Sequence, residues 1–265
     1  MAPTYLDEIL QRHRQRAAQD MRNWRERVGA VRYNGPTMYE ALADRTNLRV
    51  KVIAEVKRRS PSRGWLNEHL NVSELVRHYE IGGAAAISVL TDTEGFAGSR
   101  SDLREAARAV PLPILRKDFT VSANDVLDTA EMGASTVLLI VKALSDEQLE
   151  EYLVLAETSG IDALVEVHDE DEAKRAVDAG AKIIGINQRN LVTFEVDRGH
   201  AESIINTIPE FVLTVCESGL TVIDDVRRAA DAGFDAVLVG EAFVTSAVIE
   251  ETVKEFATNR WVGRG

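Results

Sequence analysis

The chain has 265 residues, of which 45% are hydrophobic and 28% charged, and its formal net charge is -12. This composition indicates a globular protein with a sizeable core and excludes an intrinsically disordered chain. The acidic balance argues against a nucleic-acid partner, although a local cluster of Lys and Arg could still attract a small anionic ligand.

A single cysteine, Cys216, excludes an internal disulfide and gives no sign of an oxidising compartment. No apolar run approaches the roughly 20 residues that a membrane helix needs. The start MAPTYLDEIL also lacks the basic head and apolar core of a secretory leader. We therefore expect a cytoplasmic protein that uses neither a membrane nor an obligatory protein partner.

The first predicted element is a helix in YLDEILQRHRQRAAQDMRNW, within an extension over residues 1–48. Its apolar side chains share one helical face, and they are Leu6, Ile9 and Leu10. The helix could cover one mouth of the fold as a lid or plug. One basic cluster in it consists of His13, Arg14 and Arg16. They could form an anion patch, but we favour a solvated helix face.

Eight short apolar runs follow, separated by polar turns and by segments with helical spacing. They are VKVIAEVKR, AAAISVLTD, PILRKDF, STVLLIVKAL, DALVEVHD, KIIGINQRN, FVLTVCESG and DAVLVGEAF. Such near-continuous hydrophobicity is required of strands that are covered on both faces. Gly133, Gly180 and Gly233 lie just before strands, about fifty residues or two βα units apart, and suit left-handed helix caps. Together these features predict an α/β protein with one domain over residues 1–265, containing a (β/α)8 TIM barrel over residues 49–258.

Charged and amide side chains end five of these runs. Glu55 and Lys57 share one side of the first run, and Glu166 has the parity of Leu164 in the fifth. Because barrel strands present their C-terminal ends at one face, the following residues should meet there: Glu55, Lys57, Lys117, Glu166, Asn187, Arg189 and Glu217. Unpaired buried charge costs several kcal/mol, so the set is either a structural ion-pair network or a site for a charged ligand. Convergence from five strands favours the ligand site.

Small residues follow the last two strands, where barrels often bind phosphate. Ser218, Gly219 and Gly240 could offer backbone N–H groups to a phosphorylated substrate. The first loop, SPSRG from Ser60 to Gly64, adds hydroxyls and a flexible glycine that would suit a mobile lid.

Two further residues invite a functional interpretation that we do not adopt. Cys216 precedes Glu217 and should therefore face the helices, as a small core residue rather than a nucleophile. His168 has the parity of Glu166 but lies beyond the strand end, and no second ligand stands at metal spacing. We expect no metal site.

The motifs IAEVKRRSPSRG, TDTEGFAGS, LRKDF, ALVEVHD, GINQRNL, ESGL and VLVGEAF, in this order, resemble those of the indole-3-glycerol-phosphate synthase family. The resemblance extends from the N-terminal helix to about residue 258. It implies a TIM barrel with an added N-terminal helix. It also implies a lyase of tryptophan biosynthesis that converts 1-(2-carboxyphenylamino)-1-deoxyribulose 5-phosphate into indole-3-glycerol phosphate, with loss of CO2 and water and without a cofactor or metal.

The same resemblance implies roles for individual residues. Lys117 would be the general acid that polarises the ketone, and Glu166 and Lys57 would carry the later proton transfers, with the division of work between the two lysines left open. Glu55 and Glu217 would keep the lysines charged. The substrate-binding residues would be Arg189 and Asn187 near the carboxylate and hydroxyls, Ser60, Ser218, Gly219 and Gly240 near the phosphate, and Phe96 and Phe119 around the anthranilate ring. The chain departs from the family at Cys216, where Ala is frequent, and at Glu241, where many members have Ser. By the resemblance, the second departure would affect a hydroxyl contact to phosphate and leave the main-chain contact at Gly240 intact.

Two other functions remain open at this point. A class I aldolase-like barrel would use Lys117 to form a Schiff base with a sugar phosphate. A degenerate barrel would bind phosphorylated ligands or a partner protein without catalysis. The complete set of charged strand ends argues against the degenerate barrel.

Overall fold

The computed structural model describes residues 4–190 and 195–264. Its strands are β1 Lys51–Val56, β2 Arg59–Ser60, β3 Gly64–Trp65, β4 Ala86–Leu90, β5 Ile114–Lys117, β6 Thr136–Ile140, β7 Asp162–Val167, β8 Ile183–Asn187, β9 Leu213–Glu217 and β10 Ala236–Val239. Eight of them form a closed parallel barrel in the order β1-β10-β9-β8-β7-β6-β5-β4. The eight predicted runs are these eight strands, and the predicted TIM barrel is confirmed.

The helices surround the barrel and precede it. They are α1 Tyr5–Ala18, α2 Trp24–Arg27, α3 Met38–Ala43, α4 Val72–Ile81, α5 Thr93–Phe96, α6 Arg100–Ala109, α7 Ala123–Glu131, α8 Asp146–Thr158, α9 Glu170–Asp178, α10 Arg198–Ile205, α11 Ile223–Asp231, α12 Glu241–Val244 and α13 Ile249–Ala257, with a 3-10 turn at Val141–Ala143. Gly133, Gly180 and Gly233 follow α7, α9 and α11 with φ of 87°, 89° and 88°, which confirms the predicted left-handed caps. Within the described ranges, no helix is both long and apolar enough to cross a membrane.

The segment before β1 reaches both ends of the barrel. At the C-terminal mouth, α1 buries Leu6, Ile9 and Leu10, as its apolar stripe predicts. At the opposite end, the Tyr39 N–H of α3 donates to Asp162 Oδ2 at 2.7 Å, at the first residue of β7. The sequence predicted one helix here, whereas the structure has three. The two additional helices have four and six residues, too short for a clear amphipathic pattern.

The predicted solvated face is confirmed for Arg14 and Arg16, which are exposed, but it was wrong for His13. His13 is 5% exposed, and its Nε2 lies 3.0 Å from Asp92 Oδ1. Arg16 donates to Asp125 Oδ1 at 2.6 Å. Carboxylates at the ends of barrel elements therefore hold α1 against the mouth, and this contact depends on residues about eighty and more positions away in sequence.

The first loop contains a short hairpin that the sequence pattern did not predict. In it, β2 pairs antiparallel with β3, with Ser60 opposite Gly64. Arg59 anchors the hairpin by donating to the carbonyl oxygens of Glu94 and Gly95. As a result Ser60 is buried at the edge of the C-terminal mouth.

Candidate active site

A cleft opens at the C-terminal mouth of the barrel, under α1. Its lining includes all thirteen side chains and glycines predicted from the sequence: Glu55, Lys57, Ser60, Phe96, Lys117, Phe119, Glu166, Asn187, Arg189, Glu217, Ser218, Gly219 and Gly240. The structure thus brings the predicted residues together. Their individual roles stay predictions.

The floor of the cleft is a layer of charged side chains. Glu55, Lys117, Glu166 and Glu217 come from β1, β5, β7 and β9, which are alternate strands of the barrel. A TIM barrel fills each interior layer with four side chains from alternate strands, and bulky aliphatic residues are the usual choice. Three carboxylates and one ammonium occupy this layer instead.

Lys117 binds two of these carboxylates. Its Nζ lies 2.8 Å from Glu166 Oε2 and 3.4 Å from Glu217 Oε2. Burial alone would lower the pKa of Lys117, but the charges of Glu166, Glu217 and Glu55 outweigh it and raise the pKa above its usual value. Lys117 is therefore an ammonium at neutral pH.

The two carboxylates that share Lys117 have opposite pKa shifts. Burial favours the neutral form of Glu166, but Lys117, His168 and the hydrogen bonds from Lys117 and Asn187 lower its pKa to about 2. For Glu217, burial and the nearby charges of Glu166 and Glu55 raise the pKa to about 8, against the pull of Lys117. Like charges in one small space cannot all ionise. Burial and like charge thus oppose ionisation of Glu217, whereas Lys117 and Asn187 stabilise Glu166 as the carboxylate that is suited to act as a base.

Gly185 makes room for Glu217 inside the barrel. Gly185 lies in β8, beside Glu217 and next to Glu166 in the ladder. A Cβ at this position would collide with Glu217 Oε1. The glycine in the GINQRN run therefore serves the charged layer, a role that only the neighbouring strand reveals.

Asn187 and His168 support Glu166 from two sides. Asn187 donates from Nδ2 to Glu166 Oε1 at 3.1 Å, and its Oδ1 accepts the Arg189 N–H at 3.0 Å. His168 Nε2 lies 3.5 Å from the same Glu166 oxygen, and Nδ1 lies 3.2 Å from Glu172 Oε2. Sequence reasoning missed this support. The four-residue spacing from His168 to Glu172, across a strand end and a helix start, was the available signal.

The second lysine has a carboxylate of its own. Lys57 Nζ lies 2.6 Å from Glu55 Oε1. A Cβ added at Gly240 would meet that Glu55 oxygen at 2.6 Å and Lys57 Nζ at 3.3 Å. Gly240 therefore allows the main chain after β10 to approach the Lys57–Glu55 pair closely, which an alanine would obstruct.

The turn after β9 is a candidate for binding an anion through its main chain. Ser218 and Gly219 both have positive φ, at 68° and 71°. Gln188 holds the turn by donating to the Ser218 carbonyl at 2.9 Å. Successive N–H groups in such conformations can form a concave anion site. Nearby, Glu241 is paired with Arg63 of the first loop at 3.2 Å, so its carboxylate is partly neutralised.

An apolar wall faces these charges. The ring centroids of Phe96 and Phe119 are 6.5 Å apart, and His13 packs 5.4 Å from Phe119. The remaining apolar lining comes from α1, the strands, the first loop and the turn after β9, and it comprises Tyr5, Leu6, Ile9, Pro61, Leu90, Leu138, Ile140, Leu220 and Leu238. A helix over one mouth of the fold was expected from the sequence, but the residues by which α1 lines the cleft were not predicted.

Two groups near the cleft have structural explanations. Cys216 is 2% exposed and lies against α10 and α11 residues, as its parity predicts, and burial raises the pKa of its thiol. His13, Asp92 and Asp118 place potential metal-ligand atoms within 4.8 Å of one another. However, Arg12 donates to Asp92 at 2.7 Å and Arg116 to Asp118 at 2.6 Å, so arginines already balance these carboxylates.

Comparisons with known proteins identify the family of this chain. The family model for indole-3-glycerol phosphate synthase matches residues 6–256. Indole-3-glycerol phosphate synthase 1 of Streptomyces coelicolor is 51% identical over 74% of this chain and 73% of its own length. The corresponding protein of Acetivibrio thermocellus is 38% identical over 95% of this chain and 98% of its own.

Solved structures with low sequence identity share the fold. Thiamine phosphate pyrophosphorylase from Pyrococcus furiosus is 18% identical with a TM-score of 0.59, and the match covers 78% of this chain and 93% of that one. N-acetylmannosamine-6-phosphate 2-epimerase from Clostridium perfringens is 14% identical with a TM-score of 0.60, over 81% and 93%. These likenesses concern the barrel alone. From the family match and the close relatives, the chain belongs to the indole-3-glycerol phosphate synthase family.

Proposed function

We propose that this protein is an indole-3-glycerol-phosphate synthase, a carboxy-lyase of tryptophan biosynthesis. It converts 1-(2-carboxyphenylamino)-1-deoxyribulose 5-phosphate into indole-3-glycerol phosphate, CO2 and water. The observation that carries the proposal is the charged layer of Glu55, Lys117, Glu166 and Glu217 at the floor of a cleft with an apolar wall. Family membership supports the same reaction.

The cleft suits each part of this substrate. The phosphate binds the main chain around Gly219 and Gly240, beside Ser60 and Ser218. The anthranilate ring packs against Phe96 and Phe119, and its carboxylate approaches Arg189. The ketone then lies over the charged floor. A small phosphorylated anion is therefore the ligand, and we propose no cofactor, nucleic acid, membrane or obligatory protein partner.

Ring closure depends on Lys117. The aromatic carbon that bears the carboxylate attacks the ketone, and negative charge develops on the ketone oxygen. The Lys117 ammonium, kept charged by its carboxylate neighbours, donates a hydrogen bond and then a proton to this oxygen. Loss of CO2 restores the aromatic ring. Because Lys117 is aligned before the substrate binds, little reorganisation is needed in this step.

Dehydration needs an acid and a base on the two sides of the new bond. The new hydroxyl takes up a proton and leaves as water, while a base removes the proton that allows the indole double bond to form. Glu166, ionised at neutral pH, is suited to the base, and Lys57 or Lys117 is suited to the acid.

The direct test is fluorescence detection of indole-glycerol phosphate made by the purified protein at neutral pH. We expect product with the wild-type protein and a strongly reduced rate with Lys117→Met. Absence of product with well-folded wild-type protein would refute the proposal. Borohydride trapping separates the aldolase-like alternative, since a Schiff base requires Lys117 to lose the proton that its two carboxylates stabilise.

A further inference from the structure

His168 lies behind Glu166 and outside the lining of the cleft. Its ring touches a carboxylate at each nitrogen, with Nε2 at 3.5 Å from Glu166 Oε1 and Nδ1 at 3.2 Å from Glu172 Oε2. The main chain of His168 is fixed as well. Its N–H donates to Glu172 Oε2 at 2.9 Å, and its carbonyl lies 2.6 Å from His200 Nε2. The ring therefore has one orientation, set from outside the cleft.

This geometry suits a doubly protonated ring. A neutral imidazole has one N–H, so one of its nitrogens would direct a lone pair at a carboxylate. Nε2 is buried and has no hydrogen-bond partner among the described residues, which leaves Glu166 as its nearest acceptor. Burial opposes the charge, but the hydrogen bond to Glu172 and the charges of Glu166 and Glu172 outweigh it and raise the pKa of His168.

The position of His168 matters for the charge of Glu166 during catalysis. Glu166 is 2% exposed, and in the resting site Lys117 is its closest cation. When Lys117 donates its proton to the ketone oxygen, Glu166 loses that counter-charge inside the barrel. A buried carboxylate without a cation takes up a proton and ceases to be a base. A second, permanent cation on the outer side of Glu166 prevents this.

We propose that His168 is a positioning residue that keeps Glu166 ionised and oriented while Lys117 reacts with the substrate. The inference rests on the proposed function. The other charged or titratable groups that face His168 are Glu172 from α9, Glu217 from β9 and, at its carbonyl oxygen, His200 from α10. A substitution at Glu172 can change the pKa of His168 without altering the cleft, because Glu172 touches the ring and lies outside the cleft lining.

The first experiment measures the ring itself. Nitrogen NMR of labelled wild-type protein should show both His168 nitrogens protonated at pH 7. In Glu172→Gln, the amide oxygen can still accept the His168 N–H, but the negative charge is gone. The His168 pKa should therefore fall in this variant. A neutral His168 ring in the wild-type protein at pH 7 would overturn the proposal.

The second experiment measures turnover. His168→Asn should lower kcat about tenfold while KM changes less than about twofold, since Glu166 acts in chemistry rather than in binding. The matched control is His78→Asn, which removes another histidine paired with a glutamate, His78 with Glu250 at 2.7 Å on the outer helices, and should leave kcat unchanged. Equal kcat values for the two variants would contradict the positioning role.

The pH profile distinguishes charge from simple packing. In Glu172→Gln, kcat should match the wild-type value at low pH. On the alkaline limb of the profile, kcat of the variant should begin to decline at a lower pH than in the wild type, because His168 loses its proton at a lower pH. A loss of equal size at every pH would indicate packing and overturn the proposal. If the wild-type protein made no product, the proposed function would fail, and the NMR titration would still decide the charge of His168. The NMR result also remains decisive if His168→Asn does not fold.

Discussion

Arg116 and Lys117 are consecutive cations on β5, and the barrel places them in different surroundings. Arg116 is 1% exposed and lies in the helix layer, where it donates to the Asp125 carbonyl at 2.8 Å and to Asp118 at 2.6 Å. Lys117 lies in the cleft, between Glu166 and Glu217. Alternation along the strand accounts for the separation.

The two networks differ in how completely they are closed. Asp118 accepts hydrogen bonds from Arg116, Thr91 and the Phe119 N–H, so its oxygens are used within the protein. Around Lys117, Glu217 Oε1 has no hydrogen-bond partner within the described part of the chain. A closed network of buried charges holds the fold, whereas an open one retains capacity for a substrate. The following experiments test this distinction.

The largest expected effect is the loss of turnover in Lys117→Met. Methionine keeps much of the apolar stem and removes the charge. A general acid supplies roughly 10² to 10⁴-fold in rate, and we expect kcat to fall by at least this factor while a product analogue still binds. Steady-state kinetics and analogue titration measure the two quantities. If Lys57→Met were inactive and Lys117→Met nearly normal, the assigned roles would be reversed.

The neighbouring substitution Arg116→Met should instead damage the fold. It leaves Asp118 buried without its cation, which typically costs about 3–5 kcal/mol of unfolding free energy. Urea denaturation of the two variants provides the comparison. Arg116→Met should lose more stability than Lys117→Met, whose two carboxylates can share a proton. Equal losses would show that the two networks do not differ in the way described.

Glu217→Gln should change the dependence of stability on pH. The unfolded carboxyl releases its proton near pH 4.5, whereas the folded one keeps it to about 8. Wild-type stability should therefore fall as pH rises through this window, relative to Glu217→Gln, by at most about 1.4 kcal/mol per pH unit. Glu166 works in the opposite sense, because its lowered pKa supplies stability that is lost as pH falls from about 4.5 towards 2. Denaturation series at several pH values measure both; a pH-independent difference between Glu217→Gln and wild type would contradict the raised pKa.

Arg189→Ala tests another cation that lines the cleft. The side chain is half-buried at the mouth, beyond the end of β8, so the packed barrel layers do not depend on it. Loss of one charge-assisted hydrogen bond to the substrate carboxylate should raise KM about tenfold or more. Thermal unfolding should change little. A variant that unfolds would instead place Arg189 in a structural network.

The smallest expected effect is that of metal removal. His13, Asp92 and Asp118 have potential ligand atoms close together, but Arg12 and Arg116 already supply the positive charge that a metal would bring. Exhaustive EDTA treatment should leave turnover unchanged. Activity that is lost with EDTA and restored by a divalent ion would show that this closed network is a metal site.

Much of the fold and site could be predicted from the sequence because strand periodicity is a local property. Apolar runs identified the eight barrel strands, and parity assigned Cys216 to the helix side and Glu217 to the cleft. The resemblance to a family added Phe96 and Phe119, whose place in the cleft could not be derived from spacing. His13 was misjudged because its partner carboxylate, Asp92, lies far along the chain.

The sequence by itself determined which side chains point into the barrel, since alternation along a strand requires no knowledge of other strands. Only the tertiary structure decided the pKa values of those side chains. Glu166 and Glu217 are the same residue type at equivalent strand ends, yet their pKa values shift in opposite directions. The difference arises from distances to Lys117, His168 and Asn187 across neighbouring strands. Electrostatic interactions depend on separation in space, and closure of the barrel sets that separation.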